Sequence, residues 1–289
     1  MDFVLDSLEK WMRNLLYSGI RFNLQGVFGV ANLQVEEARI YAGTPPQSWN
    51  PTIYNMIHDL SQTVILPIAG LILAFVATLE LIQIITEKNN MHDIDTWIFF
   101  KWIFKTAAAV LIVSNTWTIV MGIFEASQNV VNSASGVLIG STDLSIDSVM
   151  ENLEPTLDGM GLGSVFGFFM QSGLIRTLSM VLPVLIMIIA YARMIEIYLV
   201  TSLAPIPMAT MTHQEWGQIG KNYLRSMLAL AFQGFLLMVC IAIYTVLVSN
   251  IPHEEDILRA AWSCMGYMIL LCFTMFKTGS LSKSIFHAS

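Results

Sequence analysis

The chain has 289 residues, of which 55% are hydrophobic and only 12% charged, where soluble domains carry about 25% charged residues. A net charge of -7 without any cluster of Lys and Arg excludes a bulk nucleic-acid binder. No soluble core absorbs several uncharged runs of bilayer length, so the composition predicts an all-α integral membrane protein with about five transmembrane helices and an N-terminal amphipathic helix.

Residues 3 to 20 place Val4, Leu5, Leu8, Trp11, Met12, Leu15 and Leu16 on one stripe, with Asp6, Glu9, Lys10, Arg13 and Asn14 opposite. This is an amphipathic helix that lies on something rather than crossing it: its own protein, a membrane interface, or a subunit seam. Leu5, Leu8, Trp11, Met12, Leu15 and Leu16 are the candidate contact residues. The opening Met1-Asp2 and the alternation of apolar and charged residues through Arg13 do not fit a signal peptide or a myristoylation site, so mature protein is expected here. A second helical stretch is expected over residues 30 to 41, before the break at Gly43 to Pro46.

Asn50 followed by Pro51 is a helix start, and the pattern then runs to about Lys88 with Pro67 as its one breaker. That is roughly 55 Å of helix. Val64 to Ile85 is the part apolar enough for lipid, so Thr52 to Thr63, with His58 and Asp59, should project from the membrane, and Pro67 should kink the helix. The second span is expected over Thr106 to Phe124, entered through Trp97 to Lys105, whose Trp and Lys suit the headgroup zone.

From Ala126 to Ile175 there is no Lys or Arg, while Asp143, Asp147, Glu151, Glu154 and Asp158 fall in the same stretch. The third span, Leu178 to Ser202, carries Arg193 and Glu196, and SLAPIPMATM at Ser202 to Met211 ends it at Pro205 and Pro207. The fourth span is Ser226 to Val248 with Gln233 inside, and the fifth is Ala260 to Phe276, reached over the turn Pro252 to Asp256.

Four stretches follow from this pattern: interfacial helices at 1–49, the long helix and first two spans at 50–124, an acidic loop region at 125–177, and spans three to five at 178–289. Lys88, Lys101, Lys105, Lys221, Arg225, Lys277 and Lys283 fall on one side of the spans, and Arg176 and Arg259 on the other. The positive-inside rule then places the N-terminus outside and the C-terminus in the cytoplasm. Lys10, Arg13, Arg21 and Arg39 oppose that assignment but lie far from the first span among acids.

Charges inside lipid are costly, which singles out Glu80 in the first span and Arg193 and Glu196 in the third. Arg193 and Glu196 are spaced to pair on one helix face. Two readings follow: a salt bridge that fixes helix packing, with Glu80 as a third member, or a polar track for an ion or solute. The Pro205 and Pro207 break likewise either turns the chain at the membrane surface or supplies non-helical backbone that lines a cavity. The histidines His58, His92, His213, His253 and His287 show no ligand spacing, so no metal is expected. Cys240, Cys264 and Cys272 fall in apolar runs as packing residues. Phosphate-loop, dinucleotide and nucleophile-elbow strings are missing, so neither a cofactor nor an enzyme activity is expected.

The arrangement resembles the TrbL and VirB-type polytopic inner-membrane subunits of type IV secretion and conjugation systems, in the short version of Gram-positive conjugative elements. The likeness rests on the non-cleaved amphipathic start, the long helix at Asn50 to Lys88, the basic-free loop between spans two and three, and SLAPIPMATM followed by Trp216, Gly217 and Gly220 to Tyr223. It implies a homo-oligomeric, channel-associated subunit in the bacterial cytoplasmic membrane. Such a subunit works beside partner ATPases and a pilus-like or cell-wall-facing component, and nucleic acid meets it only as transported substrate. A different class of protein, a small-solute transporter or ion channel built on Glu80, Arg193 and Glu196, fits the same spans.

Overall fold

In a computed structural model of the chain, the described residues are 2–87, 96–138, 153–213, 215–251 and 257–288. They form helices throughout, with no strand among them: α1 (Asp2–Gly43), α2 (Pro46–Trp49), α3 (Pro51–Leu60), a π-helical turn (Ser61–Ile65), α4 (Leu66–Glu87), α5 (Thr96–Ser114) and α6 (Thr116–Leu138). There follow α7 (Leu153–Asp158), α8 (Leu162–Ser179), α9 (Leu182–Ser202), α10 (Pro205–Thr210), α11 (Gly217–Ser249) and α12 (Ile257–Ile285). Five helices are long and apolar enough to cross a membrane: Pro51–Thr86, Trp97–Ser114, Leu162–Ser202, Gly217–Ser249 and Ile257–Ile285. The protein is therefore a helical, multi-pass membrane protein.

The helix starts follow local chemistry. The Asn50 side chain accepts from Ile53 N–H at 3.1 Å, and Pro51 occupies the first helical position, where its missing N–H costs nothing. Pro67 is accompanied by a change of helix type in the turn before it. Because it cannot donate to the carbonyl one turn back, the preceding turn widens to π geometry over Ser61–Ile65, and Leu66 N–H bonds to Ser61 O.

Other elements depart from expectation. Residues 3–20 and 30–41 belong to one uninterrupted helix, α1, because Gly26 and Gly29 are tolerated inside a helix held by tertiary contacts. The second helix long and apolar enough to cross a membrane is Trp97–Ser114, which takes in the first half of the expected span 106–124; the rest of that span lies on α6, which begins at Thr116. In the region 125–177, α6 continues to Leu138 and α8 begins at Leu162, so much of that stretch is helix rather than loop. Asp143, Asp147 and Glu151, and the turn Pro252 to Asp256, lie outside the described residues.

The chain divides into two compact units, Met1–Gly43, Asn132–Ala190 and Leu236–Lys277 in the first, and Thr44–Val131, Tyr191–Phe235 and Thr278–Ser289 in the second. In the first unit α1 runs alongside α8 in the same direction. Gly19 faces Phe169, Asn23 donates to Ser172 Oγ at 3.1 Å, and Gly26 faces Arg176. The buried stripe of α1 is Ile20, Leu24, Val27, Phe28, Ala31, Val35 and Ala38, a helical repeat that closes onto its own protein. In the second unit one core gathers Ala69, Leu73, Ala109, Val113, Met208 and Ala209, and another gathers Val120, Phe124, Met194, Ile197, Met227 and Leu230.

A Cβ on Gly19 would sit 2.5 Å from the Phe169 ring, closer than any side chain tolerates. Gly19→Val is expected to push α1 away from α8 and to destabilise the protein by about 1–3 kcal/mol, as overpacking does. Thermal unfolding in detergent measures this, together with faster proteolysis of α1; an unchanged melting temperature and cleavage rate would contradict the packing.

Candidate functional site

The polar groups of the spans are the places where an apolar solvent forces a choice, and the structure makes that choice residue by residue. Glu80 on α4 pairs with Lys105 on α5, and the neighbouring Trp102 indole donates to Ala77 O at 3.1 Å. The Glu80 side chain is only 14% exposed, so this contact joins the two helices in a setting with little water. Lys105 served the sequence argument only as a mark of orientation; here it is the counter-charge.

Glu196 does not pair with Arg193. Its carboxylate accepts from Lys283 Nζ on α12 at 2.8 Å, with both side chains about two-fifths exposed. The expected pair fails for a geometric reason. Residues three apart on a helix differ by about 60° in direction, and here Arg193 turns into the protein, at 7% exposure, while Glu196 turns outward. Arg193 Nε is buried without a hydrogen-bond partner, and Arg193 forms no ion pair among the described residues. Glu80 is likewise no third member of such a network.

Gln233 on α11 donates weakly to Thr278 Oγ1 at 3.4 Å, and its amide lies against Gly279, where a Cβ would come within 3.3 Å. Close by in sequence, Ser282 donates to Ala229 O at 2.6 Å and Ser127 to Ala231 O at 2.5 Å. These three contacts tie α6 and α12 to the same stretch of α11, two of them through hydroxyls that satisfy themselves on backbone carbonyls, as membrane helices require.

Pro205 and Pro207 do not leave the backbone non-helical. They start the short helix α10, whose Pro205, Met208, Ala209 and Thr210 are buried and which packs against both α4 and α5. Proline suits this place because the first turn of a helix has no use for its N–H. The return of the chain into α11 is very close: a Cβ on Gly217 would lie 2.8 Å from Met211 O, and one on Gly220 2.5 Å from Pro207 O. Sequence reasoning missed this role of the two glycines. His213 in the same turn accepts from the backbone N–H groups of Glu215 and Trp216 at 3.2 and 3.3 Å, and its ring lies 5.7 Å from Trp216.

Of the α1 contact candidates, Leu8, Trp11 and Leu15 are exposed, and Met12 and Leu16 are half-buried. The side chain of Leu5 lies outside the described residues. On the other side of this segment Arg13 donates to Met160 O at 2.9 Å and Leu157 O at 3.3 Å, and Tyr17 donates to Asp158 at 3.0 Å. The bond to Tyr17, followed by the charges of Glu9 and Asp158, raises the Arg13 pKa above its ordinary value. No group of three or more His, Cys, Asp or Glu is placed to hold a metal among the described residues.

Ion pairs between helices and buried hydroxyls on carbonyls hold together a multi-pass helical membrane protein. The family described as TrbL/VirB6 plasmid conjugal transfer like protein matches residues 31–205, more than half of the chain, and the chain belongs to that family. It is thus a component of a conjugal transfer, or type IV secretion, apparatus, from a family of structural subunits. No curated protein and no solved structure matches it.

Lys105→Met strands the Glu80 carboxylate in an apolar setting and is expected to cost about 1–3 kcal/mol, between the values for exposed and buried pairs. Glu80→Gln combined with Lys105→Met should recover most of the loss. Thermal unfolding of the two single variants and the double variant in detergent reads the coupling; strictly additive losses would show that the pair carries none. Gly220→Ala, which drives a methyl into Pro207 O and Met211, should cost at least as much in the same measurement.

Proposed function

We propose that this chain is a channel-associated subunit of a conjugative type IV secretion apparatus in the bacterial cytoplasmic membrane, passive in the chemical sense and served by separate ATPases. The observation that carries this reading is the family match over residues 31–205 on a helical chain with five membrane-length apolar helices. The sequence lacks a phosphate loop, which agrees with energy supplied by partner proteins. Copies of the chain assemble with one another and with a pilus-like or cell-wall-facing component. The stripe from Leu5 to Leu16 on α1, of which Leu8, Trp11 and Leu15 are exposed, and the stretch Ala126 to Ile175 are the proposed contact regions. The N-terminus faces outward and the C-terminus the cytoplasm, on the strength of the basic-residue count.

The solute-transporter reading is less well supported. A transport site on Glu80, Arg193 and Glu196 needs them to converge, whereas Glu80 is engaged by Lys105 and Glu196 by Lys283.

Removing the gene from a conjugative element should reduce transfer frequency by orders of magnitude, with recovery on complementation; normal transfer would sink the proposal. A single cysteine introduced between Ser141 and Glu151 should react with an impermeant thiol reagent on intact cells. Labelling only after permeabilisation would reverse the orientation.

A further inference from the structure

Hydropathy leaves α1 outside the set of membrane-length apolar helices, yet its contacts place its second half level with them. In the first unit the register of α1 on α8 is constant: Gly19 meets Phe169, Asn23 meets Ser172, and Gly26 meets Arg176. Continued past the turn at Met180 and Val181, that register would set residues 34 to 38 against residues 184 to 188 of α9. An independent contact agrees. Gln34, fully buried, donates to Cys272 Sγ at 3.7 Å, and Cys272 Sγ in turn lies 3.8 Å from Leu182 O. Leu182 and Cys272 belong to the apolar helices Leu162–Ser202 and Ile257–Ile285. Gln34 of α1 therefore lies at the depth of Leu182 and Cys272, within two of the membrane-length apolar helices.

The outer face of α1 at that depth is charged. Glu36 and Arg39 are about half exposed and bond to each other through two contacts, at 2.7 and 2.9 Å. Glu37 is exposed and has no hydrogen-bond or ion-pair partner among the described residues. Lipid does not accept this face, because an unpaired carboxylate beside an ion pair in hydrocarbon keeps its full desolvation penalty. A dry protein interface would need a cation for Glu37. Water meets all three groups without further assumption.

We infer that the Glu36, Glu37 and Arg39 face of α1 borders a hydrated path at the depth of the apolar spans, so that α1 forms one polar wall of that path. This rests on the conduit reading for its meaning, but its geometry is testable by itself. Any path so lined carries acid in excess of base at this level, two carboxylates to one guanidinium.

The test is spin labelling of the full chain in proteoliposomes, after Cys240, Cys264 and Cys272 are replaced by alanine and the cysteine-free protein is shown to support transfer. Single labels go at Glu36, Glu37 and Arg39, and at Val184 and Ile188, which are exposed on α9 at the same level. Accessibility to an aqueous nickel complex should be several-fold higher at the three α1 positions than at Val184 and Ile188. Dissolved oxygen should show the reverse order. Nickel access at Val184 and Ile188 as well would put the whole level outside the bilayer and overturn the inference. Oxygen access alone at the α1 positions would make the face lipid-bound, and protection from both reagents would make it a protein interface. Each of these overturns the path while leaving the role in conjugal transfer to the gene-deletion result.

Discussion

Charge in an apolar solvent is the constraint on which the rest of this protein depends. Moving an ion from water into hydrocarbon is costly enough that each charged side chain on a spanning helix needs a counter-charge, a carbonyl or water. The chain answers in three ways, with Arg193, whose buried Nε has no hydrogen-bond partner, as the exception. Glu80 with Lys105 and Glu196 with Lys283 cancel charge between helices. Arg13 and Arg176 put guanidinium groups on backbone carbonyls, and Arg176 also lies 3.6 Å over the Phe22 ring. Hydroxyls such as Ser127 and Ser282 close onto carbonyls of α11. These contacts specify which helices meet, because leucine-rich surfaces in lipid have no preference among neighbours.

Apolar packing then works at close range through small residues. Gly19 and Gly26 let α8 approach α1, while Gly217 and Gly220 let α11 start against the carbonyls of α10. Pro205 and Pro207 contribute in the opposite sense. They fix backbone angles at the start of α10, so the wedge between α4 and α5 has little conformational freedom to lose. The family relation, which covers residues 31–205, reaches from the middle of α1 to the first residue of this wedge.

Much of this was legible in the sequence, for physical reasons that differ from element to element. The spans were visible because hydropathy over about 20 residues is a property of composition alone. The start of α3 was visible because Asn50-Pro51 is a local signal whose partner, Ile53 N–H, is three residues away. Contacts between distant segments were not visible. The spacing of Arg193 and Glu196 allowed a pair, but spacing does not say that Arg193 points inward and that Lys283 arrives from another helix. The continuity of α1 was hidden by Gly26 and Gly29, whose low helix propensity is outweighed by the buried stripe from Ile20 to Ala38. Pro67 marked the right place, yet only the backbone shows that the turn before it widens to π geometry.

That widened turn has a consequence for helix phase. A π turn holds one residue more than an α-helical ladder needs, and here that residue falls within Ser61–Ile65. Deleting one residue there would restore α-helical phase up to Pro67, which still offers no N–H, and would rotate α3 by about 100° against α4. Tyr54, which accepts from the Trp117 indole at 3.0 Å, and His58, whose ring lies 5.0 Å from that indole, would then face elsewhere. The extra residue sets the phase between the two halves of the long helix, and the reading of α3 by its neighbours depends on that phase.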